Sequence, residues 1–378
     1  MRKAVRTLLL VALSISVVST TRSNAHSLYS NSAHAVFVMT NAVERNEVIS
    51  FQRTADGSLQ EGRHFATGGR GTGGVIDPLE SQGSLTLSQD HSLLFAVNGG
   101  SGEVSVFLVH GSNLSLLNKV VSGGAEPNAV AQHGNLVYVL NVGGSSNVVG
   151  FTLSAGGHLQ QIPNSIRFLT TNNSEAASLA FSPDGQFLLV TERATNNIDI
   201  FPVQADGTLG AIVVNPNPNP GAFAVSFAPN GAALVSETGP AGGSNASTIS
   251  SYAVLANGTL SSISAGVPTL GNANCWNAAT PDGRWVYVSN AASSTISGFT
   301  IGATGTLTPI GPTVVGTNPN GSTNLDIAVS ADSKFVYTLN AGTGTIGIFA
   351  IQQDGSLISL GDAAGLSARA GFNGIAAN

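Results

Sequence analysis

The chain has 378 residues with a formal net charge of −6, and only 9% of its residues are charged. This acidic balance argues against nucleic acid as a partner, because binding a phosphate backbone requires clustered basic side chains. The single cysteine, Cys275, excludes an internal disulfide, and a buried structural thiol is its more common role.

The first 25 residues are predicted to be a secretory signal peptide. Arg2, Lys3 and Arg6 form its basic region. Residues 8–18 are mostly apolar, and residues 23–25 are small enough for a cleavage site. Because this apolar stretch is too short to span a bilayer, we expect an exported protein, periplasmic or extracellular, without a transmembrane anchor.

After the signal peptide, we expect a short segment at residues 26–34 and one folded domain at residues 35–378. Cleavage removes four basic residues and no acidic one, which leaves ten basic and twenty acidic side chains. The expected oligomeric state is a monomer.

A unit of about fifty residues recurs seven times in the predicted domain. An aromatic residue marks one strand of each unit, at Phe51, Phe107, Phe151, Phe201, Tyr252, Phe299 and Phe349. A leucine follows in a glycine-type turn, at Leu59, Leu114, Leu159, Leu209, Leu260, Leu307 and Leu357. This period, with strand-like sequence throughout, indicates a radial or stacked repeat.

Each unit is predicted to contain four strands. The first is small and apolar, as in residues 178–181, and a turn such as Ser182-Pro183-Asp184-Gly185 follows it. The second alternates aromatic and β-branched residues and ends in Asn, as in residues 285–290. The third contains the recurring aromatic residue, and a glycine turn leads to the fourth. Seven such units predict an all-β, seven-bladed β-propeller of four-stranded antiparallel blades.

The two chain ends distinguish a closed propeller from an open solenoid. The domain begins with a second strand, residues 35–41, and ends with a segment of first-strand character, residues 374–378. We therefore expect the C-terminal strand to pair with the first blade, which closes the ring and removes an exposed sheet edge.

One position of the repeat is predicted to surround a mouth of the central channel. It is the end of each second strand, occupied by Asn41, Asn98, Asn141, Glu192, Glu237, Asn290 and Asn340. Asparagine is common there because it tolerates the left-handed conformation and caps turns. The two glutamates do not fit that explanation and are candidate functional residues.

Long loops point to the same face of the propeller, at residues 63–83, 215–221 and 238–248. A Gly69-x-Gly71-x-x-Gly74 match to the dinucleotide-binding fingerprint lies in the first of them. It has no following helix and no βαβ context, so we interpret it as a loop.

The turn and strand motifs together resemble the lactonase-type seven-bladed propellers, which include 6-phosphogluconolactonases and carboxymuconate cyclases. The resemblance rests on Thr280-Pro281-Asp282-Gly283 and its counterparts, on Tyr138-Val139-Leu140-Asn141 and on the glycine-leucine turns. Segments such as Tyr287-Val288-Ser289-Asn290 are also similar to the Tyr-Val-Thr-Asn repeats of surface-layer propellers, which have no general enzymatic role.

The resemblance implies a His, a Glu and an Arg at the channel mouth. The position of the family's histidine corresponds to Ala177, its glutamate to Glu237, and its arginine to a position near Asn272. Two of the three residues are therefore absent from this chain.

Two hypotheses remain open. In the first, the partner is a small-molecule lactone: Glu237, alone or with Glu192, activates water for its hydrolysis, and Arg193 either stabilises developing negative charge or holds an acidic substrate. No cofactor is required, although a divalent cation held by Glu and Asn oxygens is a variant. In the second, the mouth binds a glycan, a peptide or a surface polymer without turnover. The ligand-binding candidates are Asn41, Asn98, Asn141, Asn290, Asn340 and Trp276, although a core position is the more common one for a tryptophan.

Overall fold

The computed structural model describes residues 34–241 and 243–378. The predicted signal peptide and nearly all of the segment at residues 26–34 lie outside the described residues. Within those residues, no helix is long and apolar enough to cross a membrane.

The described residues form seven antiparallel sheets, which are the blades of a β-propeller. Blade 1 begins with β1 (Ala35–Met39), β2 (Glu47–Gln52) and β3 (Arg63–Ala66). Blade 2 contains β4 (Leu85–Leu87), β5 (Leu93–Asn98), β6 (Glu103–His110) and β7 (Asn113–Val121). Blade 3 contains β8 (Ala125–His133), β9 (Leu136–Gly143), β10 (Asn147–Leu153), β11 (Leu159–Gln161) and β12 (Arg167–Phe168).

The remaining blades follow the same order. Blade 4 contains β13 (Ala176–Phe181), β14 (Phe187–Glu192), β15 (Asn197–Pro202) and β16 (Val213–Pro216). Blade 5 contains β17 (Ala222–Phe227), β18 (Ala233–Glu237), β19 (Thr248–Val254) and β20 (Leu260–Pro268). Blade 6 contains β21 (Asn274–Ala279), β22 (Trp285–Asn290), β23 (Thr295–Ile301) and β24 (Leu307–Thr317). Blade 7 contains β25 (Asn324–Val329), β26 (Phe335–Asn340), β27 (Thr345–Ile351) and β28 (Leu357–Ala363), and β29 (Asn373–Ala377) completes blade 1.

The predicted seven-bladed fold and its closure are confirmed. Strand β29 pairs antiparallel with β1, with Phe37 opposite Ala376 and Val38 opposite Ile375. The inner strands β29, β4, β8, β13, β17, β21 and β25 contact one another in a ring. Because blade 1 takes its inner strand from the chain end, opening the ring breaks a sheet as well as a blade interface.

The fourth strand of blade 3 differs from the expected pattern. It is split into β11 and β12, which both pair with β10. Between them the chain leaves the sheet at a turn, where Asn164 has a φ of 58° and Ser165 hydrogen-bonds to the backbone of Gly150. The side chain of Ser165 thus takes the place of part of the strand pairing.

Second strands are buried on both faces because each blade is covered by its neighbours, as in β22 and β26. Three tyrosines of these strands fasten adjacent blades. The hydroxyls of Tyr138, Tyr287 and Tyr337 donate to carbonyls in the glycine turns of the next blades, at Gly207, Gly355 and Gly57. This contact explains why an aromatic residue with a polar tip recurs in the second strand.

The glycine of that turn is required at Gly57. Its φ is 93°, and a Cβ atom there would lie 2.3 Å from the ring of Phe335. The aromatic strand of one blade and the glycine turn of the next are therefore complementary in shape, which links two motifs far apart in the sequence.

The closing strand supplies the first test. Ile375 is buried in the cluster with Val36 and Val38. We expect Ile375→Ala to lower the free energy of unfolding by about 2–5 kcal/mol, since it removes buried methyl groups and leaves a cavity. Ile358→Ala in β28, where Ile358 is 53% exposed, is the matched control and should change it by about 0.5 kcal/mol or less. Equal effects of the two substitutions in denaturant titrations would contradict closure by β29.

Candidate functional site

The top face of the propeller carries the turns between second and third strands and the connections between blades. All seven residues at the ends of the second strands lie there, and all are buried. The Asn98 amide donates to Ser105 Oγ at 2.8 Å, and the Asn290 amide donates to Ser297 Oγ at 2.9 Å. Asn141 and Asn340 make similar contacts, with Asn147 and Thr345. These bonds tie the second strand to the third, which favours turn capping.

Asn41 differs from the other four asparagines in its backbone, which has a φ of 51°. Its amide donates to Thr72 and to the Gly73 carbonyl in the long loop. A Cβ atom at Gly71 would lie 2.1 Å from the backbone of Asn41. Close packing of the loop therefore accounts for glycine in the apparent dinucleotide fingerprint.

Glu237 occupies the equivalent position in blade 5 and is fully buried. Its Oε1 accepts from Asn217, Asn219 and Ser250, at 3.2, 3.1 and 2.7 Å, and Oε2 accepts from Thr248. Four donors on one carboxylate hold it inside the fold as the acceptor counterpart of the capping asparagines. A glutamate can thus cap this turn, contrary to our expectation that capping would not explain it.

Glu192 has the same place in blade 4, but its neighbour is unusual. Its carboxylate accepts from the backbone and hydroxyl of Thr170 and from Thr195 Oγ1. Asp199 lies two residues along the adjacent strand, where blade 5 has Ser250, because Asp199 pairs with Val190 and Ser250 pairs with Val235.

Asp199 is fully buried, and its carboxyl group has no donor partner among the described residues; its polar neighbour is the Glu192 carboxylate. Burial, followed by the charge of Glu192, raises the pKa of Asp199 to about 8. At neutral pH the blade 4 pair therefore depends on a proton retained by Asp199, whereas the Glu237–Ser250 pair is bonded through a serine hydroxyl.

Residues 75–83, which we name the strap, cross the channel from blade 1 to blade 2. The backbone of Gln82 pairs with Ser178 and donates to the Ala177 carbonyl at 2.9 Å. Its side chain bonds both the N–H and the carbonyl of Asn277, each at 3.0 Å. The Ser81 carbonyl accepts from the Trp276 indole at 2.9 Å. The strap therefore joins blades 4 and 6 across the axis.

Trp276 is 1% exposed, and its ring lies edge-on to Phe223. Its N–H anchors the strap, so this placement favours the core interpretation over stacking on a sugar. Cys275 beside it is buried, and burial raises the pKa of its thiol. The thiol is therefore protonated at neutral pH, as expected for a structural cysteine.

Bulges in the first strands shape the upper channel. An extra residue interrupts the register at Asn128, Ala177, Cys275, Asp326 and Gly374, and a similar shift occurs near Phe223. Bulges redirect side chains and are frequent beside active sites. Ala177, at the position of the family's histidine, is thus structurally equivalent to Asp326 in blade 7.

Asp326 is buried at this bulge. It accepts the N–H of Ile327 at 2.9 Å and the N–H of Ile375 at 3.1 Å, which links blade 7 to the closing strand. Burial raises the pKa of Asp326 to about 7, and the charge of Asp77 contributes in the same direction.

Arg193 follows Glu192 on the top face and pairs with two other glutamates. Its guanidinium contacts Glu80 of the strap and lies 3.4 Å from Glu175, the residue before β13. It also lies 5.5 Å above the ring of Phe223. Neither Glu192 nor Glu237 hydrogen-bonds to Arg193, so the three predicted catalytic residues do not form one cluster.

Asp77 of the strap completes what we name the mouth cluster, which consists of Asp77, Glu80, Glu175 and Arg193. Its Oδ1 accepts from the Asn373 amide at 2.8 Å. Burial raises the pKa of Asp77 to about 7; the Asn373 hydrogen bond opposes this, Glu80 adds to it, and Arg193 opposes it. The sequence identifies the long loop but does not predict Asp77. A signal was available in Asp326, an acid in an otherwise apolar first strand, because Asp326 interacts electrostatically with Asp77.

Three cavities lie elsewhere on the propeller, and none of them is lined by a residue of the mouth cluster. One of about 500 Å³ is lined by Arg70, Glu126 and several glycines. A second of about 400 Å³ fills the lower channel beneath Gln82, between Phe181 and Phe227. A third of about 440 Å³ lies beside Asn272 and the enlarged turn of blade 5. Over residues 34–241 and 243–378, no group of three or more His, Cys, Asp or Glu has the geometry of a metal site.

Comparisons with known proteins agree with this architecture. A family profile described as lactonase, seven-bladed β-propeller, matches residues 132–268 and 278–367, more than half of the chain. No curated protein matches the sequence at a significant level.

Several solved structures are similar. The periplasmic gluconolactonase of Pseudomonas aeruginosa has a TM-score of 0.67 at 19% identity, covering 90% of this chain and 99% of that one. A protein of Bacteroides uniformis provisionally named a 6-phosphogluconolactonase has a TM-score of 0.66 at 18% identity, covering 92% and 99%. Apo AztD from Citrobacter koseri has 0.57 at 13%, covering 92% and 98%. At these identities the likeness concerns the fold.

The strap can be tested through its anchor. Gln82→Ala removes two side-chain hydrogen bonds to Asn277 in the channel, and we expect it to cost about 1–3 kcal/mol of stability. Amide hydrogen exchange should accelerate in residues 75–83 more than elsewhere. Gln60→Ala, at an exposed glutamine of blade 1, is the control. Unchanged exchange in the strap would show that Gln82 does not hold it.

The carboxyl pair of blade 4 predicts a pH dependence. The folded pKa of Asp199, about 8, lies above its ordinary value of 3.8, so the folded state retains a proton that the unfolded state releases between these values. Stability should fall as pH rises through this window, by up to about 1.4 kcal/mol per pH unit from this group.

Asp199→Ser reproduces the pair found in blade 5 and should flatten that slope in thermal unfolding at pH 5–9. Asp206→Asn is the control, because hydrogen bonds from Thr208 lower the pKa of that exposed carboxylate. A slope unchanged by Asp199→Ser would mean that Asp199 is ionised in the fold.

Proposed function

The chain belongs to the lactonase family of seven-bladed β-propellers, and on that premise we propose that it hydrolyses a small sugar lactone or a related lactone at the top mouth of its channel. The observation that carries this proposal is the mouth cluster, in which the guanidinium of Arg193 lies beside carboxyl groups of the strap and of blade 4. Ester hydrolysis needs a base for water and a positive group for the developing oxyanion.

Asp77 is the proposed general base. A carboxyl group with a pKa of about 7 is ionised in part at neutral pH and is more basic than an ordinary aspartate, which suits proton abstraction from water. The activated water attacks the lactone carbonyl carbon, and Asp77 takes the proton. When the ring C–O bond breaks, Asp77 returns that proton to the leaving alkoxide, and the product is a hydroxy acid.

Arg193 is the proposed oxyanion stabiliser, as we expected from the sequence. Its contacts with Glu80, Glu175 and the Phe223 ring hold the guanidinium in one orientation, so little reorganisation is needed during the reaction. The side chain remains partly exposed at the mouth, where a substrate carbonyl can reach it.

Glu237 and Glu192 stay predictions as catalytic residues. Both are fully buried and already accept several hydrogen bonds. We therefore propose that they support the turns of blades 4 and 5, and that the base role lies with Asp77. Export to the periplasm or the extracellular space is likewise a proposal, supported by the pattern of residues 1–25.

A second candidate is binding without turnover. It is favoured by the strap, since Gln82 lies against Ala177, the position of the family's histidine. Asn272, near the position of the family's arginine, lines a separate cavity and accepts from the Asn245 N–H at 2.6 Å. A glycan or peptide that contacts the exposed carboxylates would need no base.

The test is lactone hydrolysis followed by proton release in a pH-stat. Wild type should show kcat/KM rising with pH to a plateau above about pH 7, as Asp77 ionises. Asp77→Asn should lower kcat/KM by about 10²–10⁴-fold and remove that inflection.

Glu237→Gln is the comparison variant. We expect it to lower the thermal midpoint, because an amide replaces an acceptor of four hydrogen bonds, and to retain the inflection near pH 7. If Glu237→Gln removes the inflection and Asp77→Asn does not, the base is Glu237. Binding of the lactones with no turnover by the wild type would favour the second candidate.

A further inference from the structure

We infer that the mouth cluster selects lactones without a negatively charged substituent and rejects their phosphate esters. This inference rests on the proposed function, because it names the class of substrate for the same site. It is argued from the number, exposure and pairing of the charges at the mouth.

The carboxylates outnumber the cation, and two of them face solvent. The side chains of Glu80 and Glu175 are 57% and 49% exposed, whereas that of Arg193 is 23% exposed. An incoming ligand therefore meets the glutamates first. Because opposite charges attract and like charges repel over this range, a phosphate dianion is disfavoured at the entrance.

The charge of Arg193 is already compensated. Its guanidinium pairs with Glu80 and Glu175, and its Nε lies 3.4 Å from the Glu175 carbonyl. A phosphate would have to displace one carboxylate from the guanidinium and would then lie beside that displaced negative charge. A neutral carbonyl oxygen can accept one N–H of the guanidinium while both pairs persist, since arginine has five donors.

Beneath the entrance the charge is also acidic. Asp77 and Asp326 interact electrostatically with each other, and Glu80 interacts with Asp77. Each ionisation of these groups adds negative charge below the entrance. Rejection of a phosphate should therefore strengthen as pH rises through about 7.

Two cations of blades 1 and 2 are already paired with acids. Lys119 pairs with Glu103 at 2.6 Å, and Arg45 pairs with Glu47 at 2.9 Å. Arg70 lines the separate cavity that also contains Glu126. The whole chain carries a net charge of −6, which disfavours the approach of an anionic ligand.

The experiment compares a neutral aldonolactone with its phosphate ester on the full-length protein. We expect kcat/KM to be at least about 100-fold higher for the neutral lactone at low ionic strength. Added salt should raise kcat/KM for the phosphate ester and change that for the neutral lactone little, because screening weakens the repulsion. Equal rates, or preference for the phosphate ester, would overturn the inference while supporting the proposed hydrolysis.

Charge removal tests the residues. The double variant Glu80→Gln with Glu175→Gln should shift the ratio of the two kcat/KM values towards the phosphate ester by about tenfold or more. Glu44→Gln with Glu61→Gln, at exposed glutamates of blade 1, removes the same charge outside the mouth cluster and should leave the ratio unchanged. The ratio corrects for any general loss of activity, and thermal midpoints check folding. Equal shifts in both double variants would assign the selectivity to net charge and overturn the inference.

If neither lactone is hydrolysed, the proposed function fails and the inference is judged by binding. Calorimetric titration of a neutral aldonolactam and of its phosphate ester then replaces turnover. Tighter binding of the neutral compound supports the charge selection if the Glu80→Gln and Glu175→Gln substitutions reduce the difference between the two affinities. Tighter binding of the phosphate ester overturns it.

Discussion

The propeller depends on pairing between the two ends of the chain. Strand β29 gives blade 1 its inner strand, and the Ala35 N–H donates to the Asn378 side chain at 2.6 Å, beside the pairing of Phe37 with Ala376. Without this strand the inner edge of β1 would be exposed, and the inner strands of blades 2 and 7 would lose their shared neighbour. Every position at the channel mouth is defined relative to that ring, because equivalent residues of different blades meet only when the ring is closed.

The strap divides the channel into a top mouth and a lower cavity. Where it crosses the axis, the Gln82 N–H donates to Ala177 of blade 4 and the Ser81 carbonyl accepts from Trp276 of blade 6. Gln82 and Gly83 at its end line the lower cavity, whereas Asp77 and Glu80 lie at the top mouth. A residue such as Asp77 acquires its raised pKa from this enclosure, since the same carboxyl group in an open loop would titrate near its ordinary value.

The capping position shows how one structural role accepts different chemistry. An amide at Asn98 donates to Ser105, whereas a carboxylate at Glu237 accepts from Ser250, so a serine hydroxyl satisfies either partner by reversing its role. Asp199 lacks that versatility when ionised, because a carboxylate only accepts. Protonated Asp199 can instead donate to Glu192, so blade 4 keeps a satisfied pair only while that proton is retained. This comparison between blades gives both glutamates a structural role in their turns.

The sequence alone determined the number of blades, the four-strand pattern and the closing strand. These follow from local chemistry repeated seven times, in which alternation, turn residues and recurring aromatics act over a few residues. It also predicted Arg193 on the top face as a catalytic candidate, and that role stays a prediction. The tertiary structure decided which side chains meet, since Asp77, Glu175 and Arg193 come from a loop after blade 1 and from two turns of blade 4. No periodic pattern records contacts of that kind, because the strap is present once and its path across the channel depends on the assembled ring.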